Sequence, residues 1–295
     1  MTGRDSDSVA GNNAAGNSTA SNSATSNSMA SETPFDGVLR QIDDSVPFEP
    51  GHYNESYLDR RITARMRRRG TDSHEEYQRL LRDDAEEREA LMDSLTINVT
   101  GFFRNPEMWE VLREVLVDLT DEKRRVRIWS APSADGREPY SLAMLARDDR
   151  RIDESRIEIL GTDISEEALT NARAGVYHTT RTTDIAEELE PLSNPDRYVE
   201  KEETEFRVRD AVRRMVEFDT HDLIRDGSRG PFDVVLCRNL LIYIDVDHKG
   251  ALFDTLEASL TDGGVLVVGM TESIPPSRSD RYDPVDKRRR VFRRR

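Results

Sequence analysis

Four carboxylates and one arginine–asparagine pair stand where the chain leaves stretches that read as β-strands. Asp135 and Glu138 follow "VRIWS", Asp163 ends "RIEILGTD", Asp222 follows the strand that closes near Phe218, and Arg238 with Asn239 follows "FDVVLC". The first of these hinges holds one glycine, Gly136, too few for the glycine-rich turn that cradles phosphate. Carboxylates repel phosphate and attract hydroxyls and positive charge. Asp163 lies 25 residues after Glu138, near the ~20-residue offset at which an acid holds a ribose diol in dinucleotide folds. A ligand with a ribose diol, an ammonium and a sulfonium but no phosphate suits this set, which points to S-adenosylmethionine. Taken singly, each strand-end aspartate also reads as a helix N-cap, Asp163 for a helix starting at Ser165.

A second cluster, "INVTGFFRNP", places Asn98, Thr100 and Arg104 on a short turn around Phe102 and Phe103. A guanidinium is the side chain best shaped to grip a carboxylate bidentately, whether that carboxylate belongs to a cofactor or to an acidic substrate.

These residues need a scaffold, and the hydropathy pattern supplies one. From Val126 onward, short β-rich runs alternate with amphipathic helices expected over 139–147, 165–174 and 247–260, ending in "GVLVVG". That alternation implies a largely parallel sheet with helices on both faces, whose ligand crevice lies beyond the carboxyl ends of the strands. Charged, alternating residues 197–218 read as a small antiparallel β excursion. Asn105 and Pro106 read as the cap and first turn of another helix. Upstream, residues 34–96 form a helical module, with Ser73 and Glu76 as a capping box. Its "RRITARMRRRG", Arg60 to Gly70, is either a solvated face or a docking surface for an acidic partner. Residues 1–33, rich in Ser, Asn and Ala, offer little to bury and read as a disordered tail. The domain reading is therefore 1–33, 34–96 and 97–295.

Composition removes several classes. The 295 residues carry a net charge of −15 with only four lysines, which argues against nucleic-acid or anionic-membrane binding and for a protein adapted to high salt. One cysteine, Cys237, excludes an intramolecular disulfide. Five scattered histidines show no metal-ligand spacing, so no metal is expected. No stretch reads as a signal peptide or membrane span, and the chain reads as cytoplasmic.

Five motifs in order, "NVTGFFRNP", "IWSAPSADGREPYSLA", "GTDISEEALTNARAGVY", "PFDVVLCRNLLIYID" and "LTDGGVLVVGMTES", resemble the CheR-type chemotaxis receptor methyltransferases. The resemblance runs from about Asp93 to Phe292. It implies a Rossmann-like class I methyltransferase sheet, S-adenosylmethionine as cofactor and glutamate side chains of chemoreceptors as substrate. By position it places Asn98, Thr100, Arg104, Glu138, Asp163, Asp222, Leu223, Arg238 and Asn239 at the cofactor, and Arg104 and Tyr243 at the reacting carboxylate. It also implies that the β excursion can dock on the receptor. Three positions depart from the family's habit: Arg137 replaces an acid, Asp222 an asparagine and Met270 a histidine. A methyltransferase of the same fold acting on a small molecule or RNA, and a non-catalytic receptor-docking protein, are the competing expectations.

Overall fold

The computed structural model describes residues 33–46, 48–96 and 100–295. The helical module holds α1 (Pro34–Ser45), α2 (Glu55–Arg69), α3 (His74–Asp83) and α4 (Ala85–Leu95). Local signals set its breaks. Thr33 and Asp36 form a capping box at α1, Gly70 closes α2 in the left-handed region at φ 68°, and Asp84 accepts from the Glu87 N–H to start α4. The Ser73 box is half built: Ser73 caps α3, whereas Glu76 accepts from the Asp72 N–H instead. The tail expected over residues 1–33 lies outside the described residues except for Thr33.

Beyond α5 (Pro106–Glu122) come β1 (Val126–Ser130), α6 (Arg137–Asp148), β2 (Ile157–Asp163) and α7 (Glu166–Ala174). Next are β3 (Val176–His178), α8 (Ile185–Glu188), β4 (Val199–Glu202), β5 (Glu205–Val208), α9 (Asp210–Arg213) and β6 (Val216–Thr220). The chain finishes with β7 (Phe232–Cys237), α10 (Lys249–Ser259), β8 (Leu260–Val268), β9 (Tyr282–Asp286) and β10 (Val291–Arg294). The main sheet runs β6-β2-β1-β7-β8-β10-β9. The first five strands are parallel, and β10 and β9 pair antiparallel at one edge.

The expected excursion over 197–218 needs correction. The small sheet is β3-β5-β4, so it recruits Val176–His178, while Val216–Thr220 pairs parallel with β2 in the main sheet. Alternation along a strand looks the same in either setting, and the pairing partner decides.

Alternating strand residues feed two cores. Ile128, Val234 and Val267 face one with α5 and α6, and Trp129, Val235 and Leu266 face the other with α10 and the helical module. Val38, Ile42 and Leu58 of the module belong to that second core. The strand order turns between β1 and β7: the chain first builds outward through β2 and β6, then returns to add β7 and β8. The crevice beyond the ends of β1 and β7 is therefore where a ligand is expected.

Candidate functional site

Gly136 begins α6 at φ 88°. A Cβ there would meet the Ala172 Cβ at 2.8 Å and the Phe218 Cζ at 2.9 Å. The lone glycine of the hinge thus serves close packing against α7 and β6.

Asp163, buried at the end of β2, ties the two hinges together. Its Oδ2 accepts from the Ala134 N–H at 2.8 Å and its Oδ1 from the Ser165 N–H at 3.0 Å. Burial pushes this carboxyl above its ordinary pKa, while the N–H groups of Ser165, Ala134 and Ile164 pull it back. Ser165 itself caps α7, so Asp163 is a hinge clasp rather than the cap. A carboxylate has about four acceptor sites, which leaves room for a diol.

Across the crevice, Glu138 and Arg238 form a buried ion pair at 2.8 Å. The other oxygen of Glu138 accepts from the Ser130 hydroxyl at 2.9 Å. The remaining amino group of Arg238 donates to the Arg104 carbonyl at 2.8 Å and to Asn105 Oδ1 at 2.7 Å. Asn105 holds the expected cap position before Pro106, at φ 64°, but its side chain makes no cap to α5 and answers Arg238 instead. The turn before it is fixed at each residue. The Phe102 N–H donates to Glu188 at 2.9 Å, the Phe103 N–H to the Ser141 hydroxyl at 3.0 Å, and Trp109 Nε1 to the Arg104 carbonyl at 3.1 Å. Arg137 pairs with Asp135 at 3.0 Å and with Glu188 at 3.4 Å, which gives the departing arginine two acidic partners.

Thr100, Arg104, Pro132, Ala134, Glu138, Arg238 and Asn239 line one cleft of about 20 Å³. Five predicted site residues meet there. That volume is about the size of a single water. Asp163 lies buried beside it through Ala134. Asp222 and Leu223 do not line this cleft; they follow His221, whose N–H donates to the Asp163 carbonyl at 3.1 Å. Asp222 Oδ1 accepts from the Ile224 N–H at 2.8 Å, and Leu223 is buried against a small cavity shared with His52 and His248. Tyr243 is half-buried on the loop after β7. Asn98 lies outside the described residues.

Sequence reasoning missed Glu272. This carboxylate, 4% exposed, accepts from the N–H groups of Asn239 at 3.0 Å, Ile242 at 3.3 Å and Gly269. It staples the loop after β7, which carries Asn239 and Tyr243, to the end of β8. Burial raises its pKa and the same backbone donors oppose the rise. The signal was present: Glu272 follows "GVLVVG" as an acid beyond a strand end, the criterion that selected Asp163. Glu188 gave no such signal, because its partner Phe102 lies 86 residues away.

The donor set matches S-adenosylmethionine. Carboxylates such as Asp163 and Glu138 have the chemistry that an ammonium and a diol require, a guanidinium such as that of Arg104 has the chemistry a carboxylate requires, and two buried polar atoms at the crevice, Ser133 Oγ and Arg238 Nε, have no protein partner. A parallel sheet with its order reversing at such a site defines an S-adenosylmethionine-dependent methyltransferase. Residues 98–291 match the CheR methyltransferase SAM-binding domain, and residues 35–96 the CheR methyltransferase all-alpha domain. The chain belongs to the CheR methyltransferase family. It is 34% identical over 227 residues to the chemotaxis protein methyltransferase of Listeria monocytogenes, covering 75% of this chain and 83% of that one. To chemotaxis protein methyltransferase 1 of Pseudomonas aeruginosa it is 33% identical over 231 residues, again covering 75% and 83%. To that of Vibrio cholerae it is 34% identical over 195 residues, covering 63% and 69%.

Proposed function

We propose that this S-adenosylmethionine-dependent methyltransferase of chemotaxis esterifies glutamate side chains of chemoreceptors, with Arg104 and Tyr243 at the reacting carboxylate. The observation that carries this reading is the neighbourhood of Tyr243. Two of the three exposed large apolar side chains among the described residues, Ile242 and Val246 at 39% and 74%, flank Tyr243 on its loop. Arg60 and Arg61 of α2 lie over the Tyr57 ring, which abuts Tyr243. Exposed apolar side chains and arginines around one tyrosine suit an acidic protein helix better than a small molecule or RNA. Among the described residues no helix is long and apolar enough to cross a membrane, and a cytoplasmic enzyme meeting the cytoplasmic part of a receptor fits that.

The chemistry supplied by bound S-adenosylmethionine is a methyl group on a sulfonium, open to in-line attack. A glutamate carboxylate with an ordinary pKa of about 4.3 is already ionised near neutrality, so the protein needs no general base. Its task is placement. In this reading Arg104 orients a carboxylate with its planar fork, and the Tyr243 hydroxyl donates to the oxygen that does not attack. Asp163, with Asp222 and Leu223, holds the nucleoside end; Glu138 meets the ammonium. Asn98, Thr100, Arg238 and Asn239 complete the cofactor contacts. Arg104 must not bind the attacking oxygen tightly, since a charge-assisted hydrogen bond would lower its nucleophilicity.

The test is transfer of radiolabelled methyl from S-adenosylmethionine to membranes of cells lacking this protein. Base-labile label in receptor bands is the expected result. Label in RNA or in small molecules would overturn the acceptor, and cofactor binding without turnover would favour the docking protein.

A further inference from the structure

Tyr57, buried on α2, touches the Tyr243 loop and the end of α4. Its hydroxyl donates to the Leu95 carbonyl at 2.7 Å. Leu95 ends α4, so its carbonyl is among those without an intrahelical partner. The Tyr57 ring lies 4.7 Å from the Tyr243 ring, centroid to centroid, tilted by 44°.

The backbone repeats this arrangement. The Asn54 N–H donates to the Tyr243 carbonyl at 2.9 Å, and Asn54 Nδ2 to the Ile242 carbonyl at 3.0 Å. The Asp245 N–H donates to the His52 carbonyl at 2.8 Å, and Tyr53 bridges antiparallel to Ile244. Residues 52–54 therefore hold the Tyr243 loop by its main chain, and Tyr57 holds it by its ring.

We propose that Tyr57 is a positioning residue for methyl transfer, fixing the Tyr243 ring against the end of α4. It rests on the reading that Tyr243 acts at the reacting carboxylate. The physical grounds are direct. A ring packed at 4.7 Å restricts the rotation of its neighbour, as offset and tilted aromatic pairs do. Burial raises the Tyr57 pKa, which keeps its hydroxyl a donor to Leu95 across the working pH range. Misplacing a catalytic group by ~1 Å can cost about 100-fold in rate, so loosening the Tyr243 ring registers in turnover.

Two variants separate positioning from packing. Tyr57→Phe keeps the ring and loses the tether; Tyr57→Leu keeps apolar volume and loses both. With receptor-bearing membranes and labelled S-adenosylmethionine, kcat is expected to fall roughly 5-fold in the first and at least about 30-fold in the second. KM for membranes and cofactor affinity should stay within about 3-fold, the split that marks an effect on the transition state. In a double-mutant cycle, the cost of Tyr57→Leu should largely vanish in a Tyr243→Phe background. If Tyr243→Phe loses turnover while Tyr57→Leu does not, or if the two costs add, this proposal falls and the catalytic reading stands. If Tyr243→Phe keeps full kcat, the catalytic reading of Tyr243 falls and takes the proposal with it. Should the leucine variant not fold, unchanged kcat in Tyr57→Phe is the overturning result.

Discussion

Two buried arginine–glutamate pairs in this protein have the same composition and different uses. In the helical module, Arg65 and Glu87 form a closed knot. Arg65 Nε and Tyr77 both donate to one oxygen of Glu87, at 3.0 and 2.7 Å, and Arg69 lies 3.3 Å from the other. Every partner lies on α2, α3 or α4. At the candidate site, Arg238 spreads its fork over α6 and the turn before α5, reaching Glu138, the Arg104 carbonyl and Asn105, while its Nε has no protein partner. The first pair holds a module to itself. The second ties a strained turn, with Phe103 at φ 46° and Asn105 at φ 64°, to the end of the sheet. The partners of the first pair stay within one module; those of the second span elements and leave one donor unanswered.

That distinction can be broken experimentally. Arg238→Met should cause the largest change, because Glu138 becomes an uncompensated buried charge: stability falls by about 3–5 kcal/mol. Methyl transfer by the remaining folded protein falls at least about 100-fold. Adding Glu138→Leu should restore much of the unfolding midpoint without restoring transfer, and recovery of both would make the site pair merely structural. Next, Arg104→Ala should reduce methylation at least about 100-fold with little change in thermal midpoint. Equal losses of kcat and kcat/KM with cofactor affinity retained would place Arg104 on the substrate carboxylate, whereas a matching loss in cofactor affinity would place it on the methionine carboxylate. Arg104→Lys should recover little, since it lacks the planar fork.

Asp163→Asn should weaken S-adenosylmethionine by about 1.5–3 kcal/mol in calorimetry, the range for hydrogen bonds to a charged group. Unchanged affinity would leave Asp163 as a hinge clasp only. The smallest effect belongs to the module's knot: Arg65→Met and Glu87→Leu together with Tyr77→Phe, which removes the hydroxyl that would otherwise lose its acceptor, replace a buried ion pair by apolar volume, often a neutral exchange. It should leave kcat unaltered. A 10-fold drop in kcat would show that the module's interior, and not only Tyr57, reports to the site.

The parallel sheet was legible because Val126–Ser130, Ile157–Asp163 and Phe232–Cys237 are short apolar runs separated by amphipathic helices, a pattern few architectures share. The strand-end carboxylates were legible for the same reason, since their place follows from the strands. What stayed hidden depends on distance in space. Val176–His178 pairs with Val208's strand and Val216–Thr220 with β2, and nothing in three to five residues names the partner. The C-terminal "VFRRR" looks like a polar tail. Its arginines instead reach back, Arg294 to the carbonyls of Glu257 and Leu260 and Arg293 to that of Gly263, so that Val291 and Phe292 complete the sheet. The apolar stems of such side chains lie along the protein while their heads find polar partners. Glu188 and Tyr57 were equally unreadable, each being one ordinary residue whose meaning lies in a contact made far along the chain.

Gly136 carries a consequence for evolution and for library selection. With its backbone at φ 88° and atoms of Ala172 and Phe218 standing where a side chain would begin, almost every substitution would strike α7 or β6 before it reached any ligand. A saturation library scored for methylation would return this position as intolerant, alongside Arg104 and Glu138, and the three would be indistinguishable by activity alone. Scoring the same library for abundance would part them: Gly136 variants should disappear from the folded pool, while Arg104 variants should persist in it, silent. A glycine in a crevice can thus be indispensable to a lineage without ever meeting its chemistry.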